Sequence, residues 1–213
     1  QLLAGCSGDV SCRLDFAAEW QAPDASLVPV LIDLRGLRGG HCEFDIHFER
    51  GNSIVLIGRL VRRALQSGAV QIARISGGVQ NNVIPAEAEA LLLVRPEAVD
   101  AVEKAVAELA QDIRHEFRIA DPDMRISTKR SDETVGQALS PHASARLVQA
   151  IALMPNGITN QNLEIAENWE TSNNIGLMKM TKAGVEITCT ITSAVTSRKH
   201  AVLDQLMLLA ELA

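Results

Sequence analysis

The spacing of apolar and polar residues divides this chain into short strands interleaved with four helices. Val10 to Gln21 reads as a strand, and Leu27 to Leu37 as its antiparallel neighbour across the turn-rich joint Ala22-Pro23-Asp24-Ala25-Ser26. Asn52 caps a helix to about Gln66, with Val55, Ile57, Leu60, Val61 and Leu65 mostly on one stripe. Arg59, Arg62 and Arg63 lie largely opposite and read as a solvent face, and Gly68 stops the helix. Val70 to Ser76 and Ala86 to Val94 form the next strand pair. Pro96 starts a helix to about Arg118, in which Val99, Val102, Val106, Leu109 and Ile113 keep core spacing. Met124 to Lys129 is a short strand beyond the breaker Asp121-Pro122-Asp123, and Ser140-Pro141 caps a helix to Leu153. Ile175 to Lys182 and Val185 to Thr192 make a hairpin about Ala183-Gly184, and Ser197 opens the closing helix to Leu212.

Antiparallel strands with helices packed on one face of the sheet constitute an α+β fold. A unit of two strands and one helix recurs, so the sheet is open to division into two fused sub-lobes, although residue identity between the halves does not establish a duplication. At 213 residues, with 47% hydrophobic and 22% charged residues, the chain can bury a core of ordinary globular composition. Its net charge of -6, with 3% aromatics and no tyrosine, lacks the basic footprint and the stacking platform of a nucleic-acid binder. The longest apolar runs, Leu27 to Leu34 and Ala88 to Val94, are strand-sized and short of the roughly 20 residues a membrane helix needs. Neither nucleic acid nor membrane is therefore expected as a partner.

Cys6, Cys12, Cys42 and Cys189 show no C-x-x-C spacing. They could form two disulfides in a secreted protein, but a chain with its own core does not require them, and buried free thiols in a cytoplasmic protein are the expectation. The start at Gln1 shows no charged and apolar leader, which fits an excised fragment as well as a processed one.

Candidate chemistry concentrates in Gly39-Gly40-His41-Cys42-Glu43-Phe44-Asp45-Ile46-His47. Adjacent glycines permit a backbone turn closed to other residues, and imidazole can donate a proton or a hydrogen bond near neutral pH. A second Gly-Gly loop, Ser76 to Pro85, carries Asn82, whose carboxamide can donate to a substrate carboxylate or carbonyl and can equally serve a left-handed turn. His41, Glu43, Asp45, His47 and Glu49 alternate with apolar neighbours, which places them on one face if the segment is extended. That face has donor types for a metal and reads as well as a solvated strand face. A Cys42–His41 nucleophilic dyad is disfavoured, because neighbours in extended backbone point opposite ways.

In their order, Gly5-Cys6-Ser7-Gly8, Gly36 to His41 with Ile46-His47 and Gly51-Asn52, Gly77-Gly78 with Asn82-Val83-Ile84-Pro85, Pro155-Asn156-Gly157 and Glu170 to Gly176 resemble the lid, or dimerisation, domain of the dinuclear-zinc dipeptidases. Within that family the likeness is to the aminoacyl-histidine (Xaa-His) dipeptidases and covers nearly the whole chain. It implies a ferredoxin-like lid spanning residues 1–213, a homodimer formed through that lid, and a dipeptide substrate of Xaa-His type. It also implies that His41 reaches an active site and stabilises the oxyanion formed when water attacks the peptide carbonyl, with Asn82 binding substrate. The family's two zinc ions need His, Asp and Glu ligands. The family's His-x-Asp motif is absent, as is any Glu-Glu pair, so the zinc-binding half is expected outside this chain, with no metal bound here and no activity from this chain alone. Asn81 and Thr192 stand where the Xaa-His dipeptidases commonly carry arginine, and Cys42 where serine is usual. A stand-alone dimerisation or small-molecule-binding module without catalysis is the alternative, and a hydrolase using the His41 to Glu49 face for its own metal a third reading.

Overall fold

The computed structural model describes residues 7–165 and 168–212. Its strands are β1 (Gly8–Ala17), β2 (Trp20–Gln21), β3 (Val28–Arg35), β4 (Gly40–His41), β5 (Ala69–Gly77), β6 (Val83–Ile84), β7 (Ala88–Val94), β8 (Arg125–Arg130), β9 (Ala138–Leu139), β10 (Gly157–Gln161), β11 (Trp169–Met180) and β12 (Gly184–Ser193). The helices are α1 (Ser53–Gln66), α2 (Val99–Glu116), α3 (Pro141–Leu153) and α4 (Thr196–Leu212). An eight-stranded sheet runs β1-β12-β11-β5-β7-β3-β8, with β10 also paired to β11, and every pairing in it is antiparallel. The α+β expectation, a sheet with helices on one face, describes the molecule.

The sub-lobes are visible in the topology. The succession β3-α1-β5-β7-α2-β8, with sheet order β5-β7-β3-β8, is the ferredoxin-like βαββαβ arrangement. The other half is built from β1, β12, β11 and β10 with α3 and α4. The halves meet between β5 and β11, where the ladder is reduced to a single bridged pair, Met178 with Gly77. One hydrophobic core nevertheless runs under both, from Leu14, Ile187 and Leu206 to Val30, Ile32, Leu92, Ile57 and Val106.

Helix signals in the sequence translate directly. The Asn52 side chain accepts from the main-chain N–H groups of Ile54 and Val55, and the Ser140 hydroxyl accepts from Ala143, so both caps work as their positions suggest. Arg59 is more than a solvated charge, since its guanidinium grips the Glu116 carboxylate at 2.6 and 2.7 Å and ties α1 to α2. Cys12, Cys42 and Cys189 are buried free thiols, while Cys6, with Gly5 of the first landmark, lies outside the described residues.

Two strand expectations need correction. Val10 to Gln21 is not one strand and does not pair with Leu27 to Leu37: β1 pairs with β12, and both edges of β3 are taken by β7 and β8. Burial decides this, because the inward Cys12, Leu14 and Phe16 meet Cys189, Ile187 and Val185 on the facing strand. The later hairpin is also longer than its apolar residues indicate, with β11 starting at Trp169 and carrying Glu170, Thr171, Ser172, Asn173 and Asn174 all buried. A polar run of this kind forms a strand only when its side chains find partners inside the protein.

Those partners join distant segments. Asn174 Nδ2 donates to the carbonyls of Asn81 (3.0 Å) and Val83 (2.9 Å). Asn52 Nδ2 donates to Asn156 Oδ1 and to the carbonyl of Ile175, both at 2.9 Å, and the same Asn156 oxygen accepts from Ile175 N–H. A β-carbon on Gly176 would lie 2.2 Å from the Asn81 carbonyl oxygen, so glycine is required where the loop meets β11. Glu170 accepts from Ser193, Thr171 and Arg198, anchoring the start of α4. Burial works against its charge, but the hydrogen bonds from Ser193, Thr171 and Arg198 outweigh it and hold the carboxyl below its usual range.

Asn174→Ala strands the Val83 carbonyl, and an unmet buried acceptor costs about 1–3 kcal/mol, so thermal unfolding should fall by several degrees while the exposed control Asn160→Ala leaves it unchanged. Because the folded pKa of Glu170 is depressed, its contribution is fully present above the unfolded carboxylate range and is lost as pH falls from there through the lower folded value. Urea unfolding of wild type and Glu170→Gln should therefore differ most near neutrality and converge in acid.

Candidate functional site

The histidine loop leaves the sheet after β3 and returns at the start of α1, and buried Asp121 closes its base. One Asp121 oxygen accepts from Arg38 N–H (2.7 Å) and the other from Gly51 N–H (2.6 Å). In the sequence Asp121 reads as part of a helix breaker, and only its burial reveals the anchor.

At the tip, the two Gly-Gly loops become one ribbon. β4 and β6 pair antiparallel, Gly40 with Ile84 and His41 with Val83, and Cys42 N–H donates to the Asn82 carbonyl at 3.0 Å. His41 and Asn82, some forty residues apart in sequence, are thus neighbours, and the Asn174 bonds to Asn81 and Val83 fasten the ribbon to β11. Asn82 is exposed, its carboxamide makes no hydrogen bond among the described residues, and its backbone is not left-handed. Asn82 does sit in the turn closed by Val83 N–H to the Gln80 carbonyl, without the left-handed backbone that reading supposes.

His41 is half-buried, with its ring 4.8 Å from that of Phe44. Its Nδ1 accepts from Glu43 N–H at 3.1 Å. An imidazole nitrogen that accepts carries no proton, so the neutral ring holds its hydrogen on Nε2, which makes no hydrogen bond among the described residues. The geometry offers a neutral donor at the loop tip.

The segment from His41 to Glu49 does not form the expected strand face. Asp45 N–H donates to the His41 carbonyl, a turn follows, and Ile46–Phe48 is one 3-10 turn ending in a left-handed Glu49. Chain reversal scatters the five polar side chains, and among the described residues no three His, Cys, Asp or Glu gather as a metal-binding group. The third reading, a local metal on this face, loses its geometric premise. A Cys42 nucleophile fares no better, because burial, with Glu43 and Asp9 close by, pushes that thiol up to about 11 and keeps it protonated.

Asn81 and Thr192 lie on one patch. Antiparallel partners share a face, so Ser11, Thr190 and Asn174 form one row of the sheet, and Asp9, Thr192 and Ser172 the next. Asn81 rests on the first row, donating to the Ser11 hydroxyl (2.9 Å) while its carbonyl accepts from Thr190 (3.0 Å). Where the resemblance leads one to expect two guanidinium groups, the floor beside the ribbon is hydroxyls, carboxamides and one carboxylate.

Aromatic side chains also collect here, unanticipated from the sequence. Trp169 stacks on His47 at 4.8 Å, Phe48 lies 4.0 Å from His47, and Arg50 sits over Phe48. With Phe44 (72% exposed) they account for three of the six Phe and Trp residues in the chain.

Comparison with known proteins agrees with the fold. The peptidase dimerisation domain family matches residues 32–121, which cover β3 to α2 and both Gly-Gly loops. The cytosol non-specific dipeptidase of Escherichia coli (strain K12) is 28% identical over 216 residues, an alignment that takes in 100% of this chain and 44% of that protein. The crystal structure of aminoacylhistidine dipeptidase from Vibrio alginolyticus superposes with a TM-score of 0.93 at 27% identity, covering 98% of this chain and 42% of that one. The chain therefore spans less than half the length of either. Residues 32–121 thus match the peptidase dimerisation domain family, and the chain as a whole is similar to part of two dipeptidases.

Proposed function

We propose that this chain is the lid and dimerisation domain of a metallodipeptidase, that it closes over a zinc site carried by residues outside it, and that it supplies His41 to the reaction. The observation that carries the reading is the state of His41: Nδ1 is occupied by Glu43 N–H, so the remaining nitrogen is a neutral hydrogen-bond donor at the tip of a fixed ribbon. A donor aimed at charge that develops only in the transition state lowers the barrier without tightening ground-state binding, and removing one such donor costs about 3–4 kcal/mol in well-studied sites.

Asn82, next to it and with its carboxamide uncommitted, binds the substrate's carbonyl or terminal carboxylate. The side chains of the described residues do not gather as zinc ligands, so the role of this chain is to orient substrate, exclude water and donate from Nε2. The names of the two relatives support a dipeptide as substrate, and a cytosolic location follows the name of one of them. Hydroxyls and carboxamides at Asn81, Thr190 and Thr192, in place of fixed cations, favour a broad dipeptide preference within or beyond the Xaa-His class. The protein is a homodimer through this domain, in keeping with the family that residues 32–121 match.

In the full-length protein, His41→Ala should lower kcat about 10²–10³-fold with little change in KM or in melting temperature. An unchanged turnover number would refute the oxyanion role. The isolated 213-residue chain should hydrolyse no dipeptide at any zinc concentration, and measurable release of amino acids from it would refute the division of labour.

A further inference from the structure

We propose that Asp45, braced by Arg50, is the positioning residue for His41, an inference that rests on the donor role given to His41 above. One Asp45 carboxylate oxygen accepts the main-chain N–H of His41 at 2.7 Å, and the Asp45 N–H donates to the His41 carbonyl at 2.9 Å. Its other oxygen lies 3.6 Å from an Arg50 nitrogen, and Arg50 also donates to the carbonyl of Gly39 at 2.5 Å. The peptide group before the His41 α-carbon is thereby held by the ion-paired Asp45 carboxylate and the one after it by the Asp45 main chain, with the Asp45 and Arg50 side chains only 28% and 20% exposed.

Gly40 shows how closely that pair sits. A β-carbon there would fall 2.7 Å from the Asp45 β-carbon and 2.5 Å from the Arg50 guanidinium, so any side chain at this position pushes the clamp off the loop. Its φ of +140° independently favours glycine. Arg50 itself is seated over the Phe48 ring, 4.8 Å from the centroid.

Asp45 fixes the main chain of His41, while Glu43 N–H and the Phe44 ring fix the imidazole. With both held, Nε2–H has one direction. Orientation matters for such a donor, since a misplacement of about 1 Å can cost roughly 10²-fold in rate. The clamp is separate from the asparagine contacts that hold the sheet together, so it can be loosened while the fold is kept.

The experiment uses the full-length protein with Asp45→Ala, Arg50→Gln and the conservative Asp45→Asn, which retains an acceptor for His41 N–H. Asp45→Ala and Arg50→Gln should lower kcat about 10- to 100-fold with KM within about 2-fold, and Asp45→Asn should recover part of the loss. Adding Asp45→Ala to His41→Ala should cause no further loss, because both act through one ring. Nitrogen NMR of the His41 imidazole should show a bare Nδ1 in wild type and a mixture of tautomers in Asp45→Ala and Arg50→Gln. Losses that multiply in the double variant, or ring signals identical to wild type in both single variants, overturn the proposal. If His41→Ala itself leaves turnover intact, the oxyanion reading falls, and the ring signals alone then decide whether Asp45 positions the histidine.

Discussion

Where β5 meets β11, a sheet of eight strands is joined by a single bridged residue pair, and that meeting is held by side chains in place of a main-chain ladder. Asn52, Asn156 and Asn174 take over the work. Between them they satisfy main-chain groups in the first turn of α1, in the irregular stretch of β11 at Ile175, and at Asn81 and Val83 where the loop enters β6. Burying polar groups is costly unless they are paired, and a buried network with its partners in place admits few alternative geometries. The same contacts that join the halves also set the site loop at one height above the sheet.

From that constraint the site follows in steps. Asn174 holds the carbonyls of Asn81 and Val83, Val83 pairs with His41, and Asp121 closes the base of the loop from Arg38 to Gly51. Glycines stand where backbones come together: Gly176 beneath Asn81, and Gly78, whose missing β-carbon leaves room for the Gly176 carbonyl. Placement of a hydrogen-bond donor at the tip is thus transmitted from the core by short, satisfied contacts. That rigidity is what a group directed at transient charge requires.

Away from the ribbon, the same helix-free face of the sheet has a different character. Arg35 contacts Asp33, Glu87 and Glu89, and Arg74 contacts Glu89 and Glu133, a row of partly exposed ion pairs across β3, β7 and β5. Such pairs contribute little to stability individually and are screened by salt. They keep a broad sheet face from being apolar, while all four helices cover the face where Val30, Ile32, Ile72 and Leu92 are buried.

Much of this was legible along the chain. The caps at Asn52 and Ser140, the helix stripes, the strand pair either side of Asn82 and the two Gly-Gly loops are local signals, set by periodicity of 2 or 3.6 residues and by the few residue types that suit a cap or a turn. Order along the chain likewise marked His41 and Asn82 as candidates, and the structure makes them neighbours. Local signals could not state that β1 lies against β12, that Glu170 to Asn174 is a buried strand, or that His41 to Glu49 folds back on itself. Each of those depends on partners outside the local sequence, from Arg198 for Glu170 to Cys189 for Cys12, or on one carboxylate, Asp45, finding the main chain of His41. Periodicity records which residues seek burial, whereas their partners, and the direction in which a histidine nitrogen points, exist only once the chain is closed into three dimensions.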